Sequence, residues 1–444
     1  MARFYQKINI LIAVAVVLIA ANLYRSKSHH SVIILALTYL SRPHTYFGVN
    51  HVHQPVSLPS AWNGSYMSLH PEIWTYVLTD SDKKSFDAAI HHFEKFNISL
   101  YQLTIKNFPL SSEVIQRINS WKIQLSEKGI GFQLIKGVPV RKWTMKQCEI
   151  FFFALGKYLG IPGAQDNEGT LLGHVADIGV SKNVERPYRQ KVEISFHCDG
   201  SDIVGLLCIH PAKSGGASRI ISSVAMYNEL LKLPDGQQLI SRLFDRVLSF
   251  TRKSFGLASY LAISPLRMDS NGVLRTFWNQ DFYQKSYVHP NGTLTTWGEK
   301  DPVALRAIQA YDSILNDDYE KSKMKFNCGQ TNNNVTDQCD YKDASKIEFG
   351  LDMMLEQGDI QLVSNHFVLH ARTEFEDYSD NEIEFTNQFL NHQHKRINDI
   401  GKRELLRLWV SDTSDHLSWR HYIDKQIDFI RVISSLVEAI IYYR

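Results

Sequence analysis

Five cysteines in 444 residues are too few to staple a small disulfide scaffold. The chain is instead long enough to bury an ordinary hydrophobic core. Charge of one sign is missing too: 48 Lys and Arg against 46 Asp and Glu leave a formal net of +2. Without a concentrated basic patch, a nucleic-acid partner is not expected. No fixed-period repeat and no long low-complexity run occurs, which excludes solenoids and biased linkers. Nor is any apolar run as long as the ~20 residues of a comfortable membrane span. What is present is a hydrophobic share of 44% and a charged share of 21%, the balance of a folded globular body.

The N-terminus departs from that average. Arg3 and Lys7 precede "ILIAVAVVLIAA" (residues 10–21), and the chain then turns polar and basic without a small-residue cleavage site. This pattern fits a short uncleaved signal anchor, with a cleaved signal peptide or a buried helix as alternatives. A second apolar stretch, residues 32–40, is too short to span alone. Acceptor triplets for N-glycosylation follow at Asn63, Asn97, Asn291 and Asn334. Cys328 and Cys339 bracket a polar loop around the last of these, and a disulfide there would suit an oxidising lumen. Cys148, Cys198 and Cys208 lie among apolar residues and read as buried thiols. The expectation is a single-pass glycoprotein of the secretory-pathway membrane with a lumenal catalytic body, or else a secreted protein.

Residues 1–45 are accordingly a targeting segment, 46–416 the catalytic domain and 417–444 a C-terminal helix, docked or lying on a membrane surface. Within the domain, residues 82–96, 111–129 and 144–160 read as helices, the last two closed by Gly129 and Gly160. "GFQLIKGVPV", "KVEISFHCD", "IVGLLCIHPA", "SRIISS", "GDIQLVSNHFVLHART" and "KRELLRLWV" read as strands. The paired glycines of "KSGGA" mark a tight turn. Strands outnumber long helices around the chemistry, so the class is α+β: a sandwich or barrel with flanking helices.

In "KVEISFHCD" alternation puts Val192, Ile194 and Phe196 on one face and Glu193, Ser195 and His197 on the other. His197 and Asp199 then offer an imidazole and a carboxylate two residues apart at a strand end. A second imidazole would complete the two-histidine, one-carboxylate triad of non-haem Fe(II), which leaves three positions open. His370 in "VLHART" is the best candidate, with His366 its rival four residues earlier on the same strand. His51, His53, His91, His92, His392 and His394 have metal-like spacings without partners and read as surface. Arg403, Leu405 and Arg407 share a strand face, and a guanidinium fork suits a carboxylate. His174 and Glu193 are candidates for lining a substrate cavity.

The blocks "FHCDGSDIVGLLCIHPAKSGGASRIISSVAMYNELL", "GDIQLVSNHFVLHARTEFED" and "LLRLW" occur in that order. With them the chain resembles the taurine dioxygenase (TauD/TfdA) family of Fe(II)- and 2-oxoglutarate-dependent oxygenases. Weaker similarity reaches back through "GIGFQLIKGVPV" and "LGKYLGIPGAQDNEGTLLGHVADIG", so it covers roughly residues 129–410. The resemblance implies a double-stranded β-helix core, of the jelly-roll or cupin kind. It makes His197, Asp199 and His370 the iron ligands, with 2-oxoglutarate and O2 as cosubstrates. It gives the distal carboxylate of 2-oxoglutarate to Ser218 and Arg407, and the open face beside it to Arg403. The reaction it implies is oxidative decarboxylation of 2-oxoglutarate coupled to hydroxylation, or a related C–H oxidation, of a small organic molecule. One departure is the long insertion, residues 377–401, between His370 and both arginines. A surface excursion there adds little closure entropy, but it leaves the register of Arg403 against Arg407 open. The alternatives are a zinc hydrolase on the same three ligands and an inactive membrane-anchored binding protein. A hydrolase has no use for a dicarboxylate clamp, and no ligand is lost.

Overall fold

The computed structural model describes residues 54–165, 169–177, 179, 190–245, 248–250, 261–268, 272–280, 283, 287–289, 291–330, 349–385 and 400–411. The apolar N-terminal run, the helix expected at 417–444, Asn334 and the pairing of Cys328 with Cys339 lie outside what is described. Among the described residues no helix is long and apolar enough to cross a membrane.

The first half runs α1 (Gly64–Leu69), β1 (Thr75–Val77), α2 (Asp80–Glu94), α3 (Ser112–Leu125), β2 (Phe132–Lys136), α4 (Met145–Leu159), β3 (Ile161–Pro162) and β4 (Leu172–Ala176). Next come β5 (Ile194–His197), β6 (Ile203–His210), β7 (Ser214–Gly215), β8 (Ser218–Ser222), α5 (Ser223–Leu231) and α6 (Gly236–Leu243). Small ribbons β9 (Leu248–Phe250), β10 (Leu261–Ile263), β11 (Leu266–Met268) and β12 (Leu274–Thr276) precede α7 (Thr296–Lys300) and α8 (Pro302–Gln330). The chain closes through β13 (Gly350–Met353), β14 (Ile360–Ser364), β15 (Val368–Arg372), β16 (Phe375–Glu376) and β17 (Glu404–Ser411).

Local chemistry explains where the helices start. Thr79 with Asp82, and Thr144 with Gln147, form reciprocal capping boxes on α2 and α4, and Ser111 caps α3. Helix α3 ends at Leu125 rather than at Gly129. A Cβ on Gly129 would fall 2.3 Å from the Gln124 carbonyl oxygen, so this glycine permits a close backbone approach and is not the stop itself.

Two sheets carry the core. The larger runs β1-β2-β14-β6-β17-β3 with β4 also on β17, and the smaller runs β13-β8-β15-β5. Alternation along β17 sorts its side chains. Leu406, Leu408 and Val410 join α2, α3 and α4 in one core, while Leu405 and Trp409 face the smaller sheet. In α4, Phe151, Phe152 and Phe153 are all buried, together worth at most ~9 kcal/mol of transfer free energy. Gly205 on β6 makes room for the Phe152 ring, which a Cβ there would meet at 3.2 Å. On the outer side of the smaller sheet Phe196, Ile221, Leu369 and Ala371 pack against α5, α6 and α8. The result is the expected α+β jelly roll, layered helices, sheet, sheet, helices.

"GDIQLVSNHFVLHART" is not one strand. It is β14 in the large sheet, a turn over residues 365–367, and β15 in the small sheet. His366 therefore sits in the turn, not on a strand face with His370.

Candidate active site

The ligand candidates come from the small sheet. Strands β5 and β15 pair antiparallel with His197 opposite His370. Because Phe196 and Leu369 point outward into the helix-side core, alternation turns both histidines inward, between the sheets. Asp199 follows β5 by two residues. One ligand atom from each of His197, Asp199 and His370 lies within 4.8 Å of the others, the only such group among the described residues. His197 Nε2 is 3.7 Å from Asp199 Oδ1, and His370 Nε2 is 3.6 Å from Asp199 Oδ2. Donor atoms bound at ~2.1 Å to one ion stand ~3 to 4 Å apart, so the cluster fits a single Fe(II). His197 Nδ1 lies 2.8 Å from the Ser195 carbonyl. Donation there fixes the tautomer and leaves Nε2 with a free lone pair.

The protonation states suit metal binding. Burial, reinforced by the neighbouring His370, pushes His197 down to about 4, so the imidazole is neutral at physiological pH. Burial alone would raise Asp199. Its contact with His370 and the charge of Arg407 outweigh that and hold the carboxyl below the usual range. Cys198, between the two ligands, points outward; burial raises its thiol to about 12, leaving it protonated and inert.

Arg407 is buried on the inward face of β17, between Leu405 and Trp409. Its Nε donates to Gln165 Oε1 at 2.7 Å, and Gln165 Nε2 donates back to the Arg407 carbonyl at 2.8 Å. Arg403 is also buried, and burial lowers its pKa to about 10. Its backbone N–H donates to Asp377 Oδ1 at 2.7 Å, and its guanidinium lies 4.8 Å from the Phe375 ring centroid. A Cβ on Gly216 would meet Arg403 Nε at 3.0 Å, which places Arg403 at the Gly215–Ser218 turn. Ser218 Oγ is 2.7 Å from Gln361 Oε1.

Two sequence candidates fall elsewhere. His174 is aligned with Leu406 and so faces the helices, while Val175 faces inward. There it bridges Glu404 at 2.7 Å and Glu149 of α4 at 3.3 Å. Its hydrogen bond to the Glu404 carboxylate raises its pKa in spite of burial. It does not line a cavity between the sheets, because a one-residue change of parity reverses the face. His366, the rival ligand, lies 2.8 Å from Asp202 Oδ1, outside the cluster. Glu193 stands half-buried one residue before β5.

Four residues of the site were not anticipated. Arg372, two past His370 on the same inward face, donates Nη2 to the carbonyls of Gln190 (2.7 Å) and Val192. It thereby holds the approach to β5, with its pKa lowered to about 9 by burial and then by Arg403. Asn365 is buried and spans the ligand loop: Nδ2 donates to the carbonyls of Asp199 (3.2 Å) and Ser201 (2.7 Å), and Oδ1 accepts from Asp199 N (3.3 Å). Gln165 and Trp409 complete the set. Only Arg372 had a sequence signal, its two-residue offset from His370.

Comparison with known proteins agrees with this geometry. FR-33289 synthase of Streptomyces rubellomurinus is 23% identical over 82% of this chain and 92% of its own length. The taurine hydroxylase-like protein SAT17 of Stachybotrys chartarum is 25% identical over 81% of this chain and 80% of its own. Among solved structures, an asparagine oxygenase in complex with Fe(II), 2S,3S-3-hydroxyasparagine and succinate has a TM-score of 0.51. It is 13% identical over 76% of this chain and 94% of that one, a likeness of fold. The family profile described as "Taurine catabolism dioxygenase TauD, TfdA family" matches residues 102–330, a span that contains His197, Asp199 and Ser218. With the triad completed by His370 in space, this chain belongs to the TauD/TfdA family of Fe(II)- and 2-oxoglutarate-dependent dioxygenases.

Proposed function

We propose that the enzyme hydroxylates, or otherwise oxidises at an unactivated C–H bond, a small organic substrate held between the two sheets. The observation that carries this reading is the inward-facing triad opposite a buried arginine on the facing sheet. Bound Fe(II) supplies the redox chemistry that couples 2-oxoglutarate decarboxylation to substrate oxidation. The protein's residues do the rest. His197 presents a neutral imidazole, His370 a second imidazole across the strand pair, and Asp199 a carboxylate held between them. Burial of the surrounding side chains excludes water and strengthens each electrostatic contact.

The two arginines divide the cosubstrate between them. Arg407 acts on Asp199 and His197, so we assign it to the metal end, facing the carboxylate nearest the ligands. Arg403 sits at the Ser218 turn, so we assign it and Ser218 to the distal carboxylate. This reverses the allotment that the resemblance implied. Glu193 shares the parity of His197 along the run into β5, which supports a place for it on the substrate side.

Anaerobic addition of Fe(II) and 2-oxoglutarate is expected to give a weak metal-to-ligand charge-transfer band in the visible. His370→Ala is expected to abolish it. No band in the wild type, or an unchanged band in the variant, rejects the assignment.

We also propose a lumenal, membrane-anchored domain 46–416 preceded by the segment 1–45. The apolar run at 10–21 supports this, as do the acceptor asparagines Asn97 and Asn291, both exposed. Endoglycosidase treatment of protein from secretory cells is expected to increase its gel mobility; no shift, with no membrane association, rejects it.

A further inference from the structure

We infer that Trp409 is a positioning residue for the metal centre: its indole N–H decides which oxygen of Asp199 serves as ligand. The inference rests on the metal-centre reading above and deepens it. Trp409 Nε1 donates to Asp199 Oδ2 at 3.0 Å across 210 residues of chain. An indole has one donor and no acceptor, so this contact requires an accepting oxygen and suits the ionised carboxylate.

The triad alone leaves the choice open. Oδ1 faces His197 at 3.7 Å and Oδ2 faces His370 at 3.6 Å, so both oxygens are placed to ligate. Binding through both would consume one of the open positions that a two-histidine, one-carboxylate centre keeps for its reactants. The indole breaks the tie by engaging Oδ2, which leaves Oδ1 for the metal.

Each group in the contact is itself fixed. Asn365 grips the backbone of Asp199 on both its N–H and its carbonyl, so the carboxylate pivots about a held Cα. Trp409 is buried, its carbonyl accepts from Gly163 N at 2.7 Å, and the Arg407 guanidinium lies 5.1 Å from its ring centroid. Hydrogen bonds to ligands of this kind typically change metal affinity 10- to 100-fold when removed.

The test is anaerobic Co(II) titration of the full chain, followed by its d–d absorption, whose intensity reports coordination number. Trp409→β-(3-benzothienyl)alanine keeps the bicyclic ring and its packing and deletes only the N–H. Trp409→Phe is the simpler companion. We expect the benzothienyl protein to bind Co(II) at least tenfold more weakly and with a changed d–d intensity. Affinity within twofold of wild type, or an unaltered spectrum, overturns the proposal. A wild type that takes up no Co(II) overturns the metal-centre reading and this inference with it, so the two failures are distinguishable.

Discussion

Arg403 and Arg407 lie four residues apart yet meet different electrostatic surroundings. Arg407 is close enough to help hold Asp199 ionised and His197 neutral. Arg403 sits instead against Gly216 at the Ser218 turn, and its own pKa falls chiefly through burial. The assignment above then makes a split prediction. Arg403→Gln should weaken 2-oxoglutarate binding roughly 10- to 100-fold, the value of a charge-assisted carboxylate contact, while leaving Co(II) affinity unchanged. Arg407→Gln should alter metal affinity as well. Anaerobic titrations of cosubstrate and metal check both; the opposite pattern would restore Arg407 to the distal carboxylate. This division was not legible in the sequence. Spacing put both arginines on one strand, but the contacts that separate them run to Gly216 and to the ligand loop. Gln165, Asn365 and Trp409 stayed invisible for the same reason, with partners 242, 166 and 210 residues away.

At the scale of the element, the turn that delivers Ser218 depends on backbone freedom. Gly215 and Gly216 have φ of +70° and +71°, a region costly to other residues. A Cβ on Gly215 would also sit 2.3 Å from the Glu374 carbonyl oxygen, at the β7–β16 pairing. Gly215→Ala should therefore cost more than ~2 kcal/mol, strain plus clash. Gly169→Ala is the control: φ is +82° but nothing lies within 4 Å, so it should cost only ~1 kcal/mol. Urea unfolding of both variants measures the difference, and equal losses would show that the clash is relieved. The paired glycines announced this turn in the sequence. The turn between β14 and β15 did not announce itself, because Asn365, His366 and Phe367 interrupt two apolar strands without a glycine or proline. Periodicity reads such a junction as continuous. Where caps and alternation were strong, as in α2, α4 and β5, the reading carried through to the structure.

For the molecule as a whole, the facing sheets bury imidazoles that would rather be solvated when charged, and this ties global stability to pH. His366 is enclosed at the sheet junction. Burial, followed by the charge of Arg275, lowers its pKa well below 6.5 against the opposing pull of Asp202. Burial lowers His197 likewise, to about 4. In the unfolded chain both regain an ordinary value near 6.5. Between these limits the unfolded state binds protons that the native state does not, so stability must fall as pH falls from about 6.5 toward 4. Each such histidine contributes at most about 1.4 kcal/mol per pH unit there. Asp199 adds its own loss only below the usual carboxylate range, so the two effects separate on the pH axis. With metal removed by chelator, urea unfolding of the wild type at pH 7 and pH 5 should show a clear loss on acidification. His366→Asn should be less stable at pH 7, since it loses the contact with Asp202, yet show a shallower decline to pH 5. A variant with the wild-type slope would mean that His366 takes up its proton in the folded protein, and that the cost of burying it is met by Asp202 rather than by neutrality.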